Sequence, residues 1–276
     1  MLVTAPRITT RALLALGTLG SFLLAPVRAE DDLTPETKAL IAKLREDTKS
    51  KTIATRTSAY KALGELGEKA KGHRRILCEG MLDSNTSVRT AAADALKKVD
   101  EPIYKLALGI VIDKRDEHFR AAAKLGAHAE PLAPLILAHA TALVPVASKE
   151  PGTIENGKAR TSVCAAVGAL AAIAPDDQRV NQAVIAMLGN PSVTLRECAL
   201  GHVAPLKNKK LALKGVLTIA GAMTEGPVVR ARAVALVPLL VDENTAPATK
   251  KTLTGLRFDT EGLVREAVAK ALDDIK

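Results

Sequence analysis

The segments SVRTAAADAL (residues 87–96) and LVREAVAKAL (residues 263–272) are nearly the same ten-residue phrase written at two distant places in one chain. Their arginines, Arg89 and Arg265, lie 176 residues apart, five steps of about 35, a period that points to stacked helical pairs. Arginines followed by small apolar residues recur at Arg56, Arg89, Arg120, Arg160, Arg196, Arg230 and Arg265, in steps of 33, 31, 40, 36, 34 and 35 residues. Arg120 fits with its apolar register shifted by one or two positions. Seven such units account for nearly all of residues 34–276.

Each unit reads as two helices. The segment after the arginine carries apolar residues at helical spacing, as in Val88, Ala92, Ala95, Leu96 and Val99, and so does the segment before it, as in Ile76, Leu77, Gly80 and Met81. Between them lie short polar turns, DSNTS (83–87), DKRDE (113–117), GNPS (189–192), TEGP (224–227) and DTEG (259–262), whose residues stop one helix and cap the next. Composition agrees: 47% of residues are hydrophobic, yet there is no Trp and only two Tyr and three Phe. A large sandwich or barrel draws on aromatic and β-branched residues, whereas this Ala/Leu/Val-rich chain favours close-packed helices. The predicted fold is all-α.

On these residues the chain resembles the HEAT-repeat family, in particular its short bacterial form, whose second helix opens V-R-x-x-A. The resemblance implies a right-handed α-α superhelical solenoid of about seven helix pairs, and an Asp or Asn six residues before each arginine that helps form a ladder between repeats. Asp83 precedes Arg89, Asn190 precedes Arg196 and Asp259 precedes Arg265 by that interval. Thr224 stands there before Arg230, Ser50 and Ile154 depart further before Arg56 and Arg160, and Asp113 is seven before Arg120. One helix pair cannot bury its own apolar face, so each unit covers its neighbour's.

The N-terminus is set apart. Arg7 and Arg11 precede an apolar run, ALLALGTLGSFLLAPV, and Val27-Arg28-Ala29 follows, the three-part pattern of a secretory signal peptide. The expected division is a signal peptide at 1–29 and a repeat domain at 30–276, giving a periplasmic or secreted protein that starts at Glu30. Loss of the three arginines would lower the formal net charge from +9 to +6. No membrane span is expected in the mature chain. Export permits disulfides, but Cys78, Cys164 and Cys198 are odd in number and far apart. Buried free thiols are the first reading, with a Cys164–Cys198 bridge as the alternative because the two fall in consecutive repeats. There is no C-x-x-C or H-x-x-x-H pair, so no metal or other cofactor is expected.

Function in a solenoid resides in departures from the repeat. The segment PVASKEPGTIENGK (145–158) reads as a polar loop rather than a helix, with Lys149 and Lys158 available to a partner. Aligned on the arginines, the second helices are polar in the outer repeats but small and mostly apolar in the central ones, at Ala165, Gly168, Gly201, Ala204 and Ala235, with His128 nearby in register. By resemblance these residues line a concave trough suited to an apolar helix or peptide.

Catalysis finds little support in spacing: His118 could pair with Glu117 and His128 with Glu130, but no nucleophile is placed beside them. Basic clusters at 68–75, 207–210 with Lys214, and 250–251 suit phosphates but lack the aromatic platforms of single-strand binders. No nucleic acid partner is expected. The expectation is therefore a monomeric, exported, non-catalytic scaffold that binds another protein or peptide. The alternatives are a HEAT-like enzyme of the lyase type, by resemblance to bilin lyase subunits, and a binder of anionic polymers.

Overall fold

The computed structural model describes residues 33–149 and 153–275. The proposed signal segment, like residues 150–152 of the expected loop, lies outside them. Among the described residues there are fourteen α-helices and no strand, arranged as a solenoid of seven consecutive pairs. These are α1 (Pro35–Asp47) with α2 (Ile53–Glu65), α3 (Arg74–Gly80) with α4 (Thr86–Val99), α5 (Glu101–Leu108) with α6 (Asp116–Leu125), and α7 (Ala133–Ala147) with α8 (Ile154–Ile173). The last three pairs are α9 (Gln178–Ala186) with α10 (Val193–His202), α11 (Lys209–Gly221) with α12 (Pro227–Leu240), and α13 (Ala246–Gly255) with α14 (Gly262–Asp274). The second helices stack as α2 on α4, α6 on α8, α8 on α10 and α12 on α14, and one continuous apolar core runs between the two helix layers.

The recurring arginine works on backbone first. Arg56, Arg89, Arg196 and Arg265 each donate from Nη1 to the carbonyl six residues back, those of Ser50, Asp83, Asn190 and Asp259, at 2.9, 2.8, 2.6 and 2.6 Å. The turn carboxylate instead faces the preceding unit: Asp83 accepts from Arg56 Nε and Nη2 at 2.8 and 3.0 Å, and Asp259 accepts from Arg230, with both side chains only 2% exposed. Glu225 takes the same place for Arg196, with Nε and Oε1 2.5 Å apart. Asn190 departs, donating to Ser148 Oγ at 2.8 Å. The turns at Asp83, Glu225 and Asp259 thus tie the first helix of their own unit to the arginine of the unit before.

The ladder breaks at the third unit. Helix α5 ends in a π-helical turn, Gly109–Asp113, closed by Lys114 in the left-handed region at φ 54°. Gly109 is required there, since a Cβ would stand 2.5 Å from the His118 ring. Arg120 turns back to Asp116 on its own helix at 3.8 Å, and α6 begins four residues before it rather than three. With α5 displaced onto α4, helix α3 packs directly on α7. Arg75 consequently reaches Glu130 before α7 and Asp177, the N-cap of α9. Nearest-neighbour stacking is therefore supplemented by an ion-pair network across more distant units.

One further expectation is corrected. Most of 145–158 is helical: α7 continues through Pro145, and Thr153, whose Oγ1 accepts from Asn156 N–H, caps α8 at Ile154. The extra chain length is spent on a 20-residue α8. One run, Asp116–Ala147, has the length and apolar composition to cross a membrane, where the sequence reading saw none beyond the N-terminus. It is broken at Gly126, with φ 55°, and buries Phe119, Leu132, Leu135 and Ile136 in the core.

These ion pairs give stability a pH signature. Asp83 is held below the usual carboxylate range, chiefly by Arg56. Asp259 is lowered by the Glu261 N–H, which with Arg230 outweighs burial, and Arg75 together with the Val180 N–H outweighs the burial that would raise Asp177. A carboxylate lowered in the folded state contributes stability that is complete above its unfolded pKa and is lost as pH falls through the folded one. The melting temperature should hold between about pH 7 and 5 and drop below about pH 4. A melting temperature unchanged at acid pH would contradict the ladder.

Candidate functional site

Residues one repeat apart become spatial neighbours in a solenoid. Cys164, Cys198 and Arg232 are spaced 34 residues apart, and so are Gly168 and His202. Helix α8 begins six residues before Arg160, whereas the helices bearing Arg56, Arg89, Arg196, Arg230 and Arg265 begin three before theirs. Arg160 accordingly bonds the carbonyls of Ala147 and Lys149, at 2.9 and 2.6 Å. Alignment on the arginines therefore offsets α8 by two residues and hides the column, which period alone would have revealed.

On α8, Cys164 and Gly168 lie one turn apart on one face, and Cys198 and His202 occupy the matching face of α10. The two thiols are both partly buried and not bridged, and each acts on the other's proton affinity. The His202 ring rests against Gly168, where a Cβ would stand 3.1 Å from Cε1 and Nε2. On α12 the buried Arg230 fixes the helix, and Arg232, two residues on, points to the opposite, exposed side. Its Nη2 lies 3.2 Å from where a Cβ of Gly201 would be, and its charge acts on both Cys198 and His202.

The electrostatics follow from this packing. The interaction with Cys198 lowers the pKa of Cys164 against the opposing effect of burial. Cys198 is raised by its interaction with Cys164 and by burial. Burial and then Arg232 lower His202, so its ring is neutral near pH 7. Cys78 is fully buried and its thiol is pushed upward, leaving it inert. The arrangement sets two thiols on facing second helices, with an imidazole one turn away and a guanidinium at the rim.

The sequence-predicted residues are only partly brought together. Gly168 and Gly201 belong to this group, supplying space for His202 and Arg232, and Ala165 is half-buried beside it. Ala235 instead lines a separate hollow of about 400 Å³ between α12 and α14, with Pro238, Leu263, Glu266 and Lys270. Ala204 lies in the turn after α10, where its carbonyl accepts from Lys209, His128 and Lys149 are exposed on other elements, and Lys158 is exposed on α8 six residues before Cys164. The expected apolar trough is thus replaced by thiols, imidazole and guanidinium. The apolar hollow, about 370 Å³, lies instead among α7, α8 and α9, against Leu137, Val144, Val167 and Leu170.

Other candidates contribute less. His139 Nε2 and Ser162 Oγ are 3.0 Å apart, but no carboxylate among the described residues hydrogen-bonds His139, whose ring packs on Phe119 at 4.9 Å. His118 lies 3.3 Å from Asp113 and 3.9 Å from Glu117, while His128 makes no pair with Glu130, which is taken by Arg75. Among the described residues no group of three His, Cys, Asp or Glu side chains is placed to hold a metal ion. The 68–75 cluster is largely neutralised within the chain, Arg74 by Asp100 at 2.6 Å and Arg75 by Glu130 and Asp177.

No family model and no curated relative matches the sequence. Among solved structures the chain is similar to human deoxyhypusine hydroxylase in complex with glycerol, at 17% identity over 87% of this chain and 88% of that one, with a TM-score of 0.38. It is also similar to an engineered protein solved by a structural genomics consortium, at 17% identity over 85% of this chain and 96% of that one, with a TM-score of 0.27. The expectation of a non-catalytic scaffold is corrected by the side chains themselves: the face assigned to partner binding carries two thiols, an imidazole and a guanidinium. At these scores the likeness says nothing about which chemistry those groups perform.

Proposed function

We propose that this chain is a HEAT-like solenoid of the enzyme class, whose central second helices carry out thiol–disulfide exchange. The placement of Cys164 on α8 and Cys198 one repeat on, at the matching face of α10, carries the reading, because exchange needs an attacking thiolate and a resolving thiol that can reach the same sulfur. Cys164, in its thiolate form, attacks one sulfur of a substrate disulfide and forms a mixed disulfide. The departing thiolate takes the proton of Cys198. Cys198 then attacks Cys164 Sγ, closing the intramolecular disulfide and expelling the second substrate thiolate. Two protein thiols are oxidised and one substrate disulfide is reduced; the reverse sequence oxidises a substrate dithiol.

The export pattern of residues 1–29 supports placement in the periplasm or outside the cell, where disulfides persist in substrates. Peptide or protein disulfides are the proposed partners of the monomer. The reading is tested by adding the protein to bis(2-hydroxyethyl) disulfide with a dithiol reductant and following thiol release. The expected result is multiple turnovers in proportion to protein, no turnover in Cys164→Ser, and a trapped mixed disulfide in Cys198→Ser. Release that is the same with and without protein would overturn it.

A further inference from the structure

We infer that the thiol pair selects anionic disulfides, whose carboxylates are held by Arg232, an assignment that rests on the exchange chemistry proposed above. Arg232 stands in the same repeat column as the two cysteines, one unit beyond Cys198. Its side chain is exposed, and among the described residues it makes no ion pair, unlike Arg56, Arg74, Arg75, Arg196 and Arg230 of the same chain. An arginine in the solvent-facing column has no role in the ladder, which Arg230 fulfils two residues earlier on the buried side.

Arg232 Nη2 lies over Gly201, 3.2 Å from where its Cβ would be, and Gly201 is three residues past Cys198 on α10, so the guanidinium stands on the same side of α10 as that thiol. A guanidinium offers two parallel N–H donors that match a carboxylate, and its charge favours an anion over a cation approaching the same sulfur. The preferred substrate therefore bears a carboxylate a few bonds from its disulfide. An acidic peptide disulfide and a small carboxylated disulfide share this chemistry.

Three symmetric alkyl disulfides of similar size distinguish the possibilities: 3,3′-dithiodipropionate, neutral bis(2-hydroxyethyl) disulfide and cationic cystamine. Each rate with the reduced protein is divided by its rate with a free monothiol. Dithiodipropionate should react about tenfold faster than cystamine on this scale, with the ratio shrinking as salt is added. Arg232→Gln should bring the ratio near one and Arg232→Lys should keep most of it. If all three react readily but without charge order, the Arg232 assignment is overturned and the exchange chemistry survives. If none reacts faster than the monothiol, the exchange reading fails and takes this inference with it. An acidic peptide disulfide set against its amidated form then separates peptide from small-molecule substrates, and equal rates for that pair would also count against Arg232.

Discussion

Arg230→Ala is expected to destabilise the protein by about 3–5 kcal/mol, because it strands the buried Asp259 carboxylate without its counter-ion. Arg230 Nε also donates to the Ala220 carbonyl at 3.2 Å, so the substitution unties α11 from α12 as well as α12 from the last turn. Arg265→Ala serves as the contrast. That side chain makes two carbonyl hydrogen bonds, at 2.6 and 2.9 Å, from the exposed end of the stack, and its loss should cost about 1 kcal/mol. The double change Arg230→Met with Asp259→Leu should recover much of the loss, since apolar pairs of similar volume often replace buried ion pairs. Urea unfolding decides the order, and equal midpoints for Arg230→Ala and Arg265→Ala would contradict the buried ladder.

The second large effect concerns reactivity. Cys164 should be alkylated by iodoacetamide at neutral pH well before the other two thiols, because its interaction with Cys198 favours its thiolate. The sign is definite: a lowered thiol pKa moves the onset of alkylation to lower pH than an ordinary cysteine. Cys198→Ala removes that interaction, so the onset should move upward and the rate near pH 7 should fall several-fold. Cys164→Ser should leave a nearly unreactive folded protein, since Cys78 is buried and only Cys198 is partly accessible. Rapid labelling of Cys198 ahead of Cys164 in the wild type would reverse the assigned roles.

Much of the architecture was legible because one physical requirement is written seven times. The period gave the pairs, the turn residues gave their boundaries, and the arginine register gave the carbonyl hydrogen bonds at Arg56, Arg89, Arg196 and Arg265. Unit three was hidden because a π turn and a left-handed Lys114 are backbone events with no composition of their own. The helical course of 145–147 and 154–158 was hidden because Pro145 and Gly157 read as loop residues, whereas Thr153 supplies a cap and neighbouring helices supply the burial.

The site was legible in a different way. Local spacing placed no nucleophile beside a base, since the relevant separation is the repeat period rather than a turn of helix. Cys164 and Cys198 could be assigned to consecutive repeats, but their shared face depended on the true start of α8. Small residues at 168 and 201 read as trough floor, and the structure gives them to His202 and Arg232 instead. Pattern alone cannot tell an empty position from one filled by a neighbour's long side chain.

Peptide mapping of the oxidised protein tests the central claim most directly. Treatment of the folded, reduced chain with one equivalent of a small disulfide should yield a single intramolecular crosslink joining the peptides that contain Cys164 and Cys198. Two small-molecule thiols should be released and Cys78 should remain free. Stable mixed disulfides on both cysteines, or a crosslink that includes Cys78, would mean that α8 and α10 do not hold the pair in register.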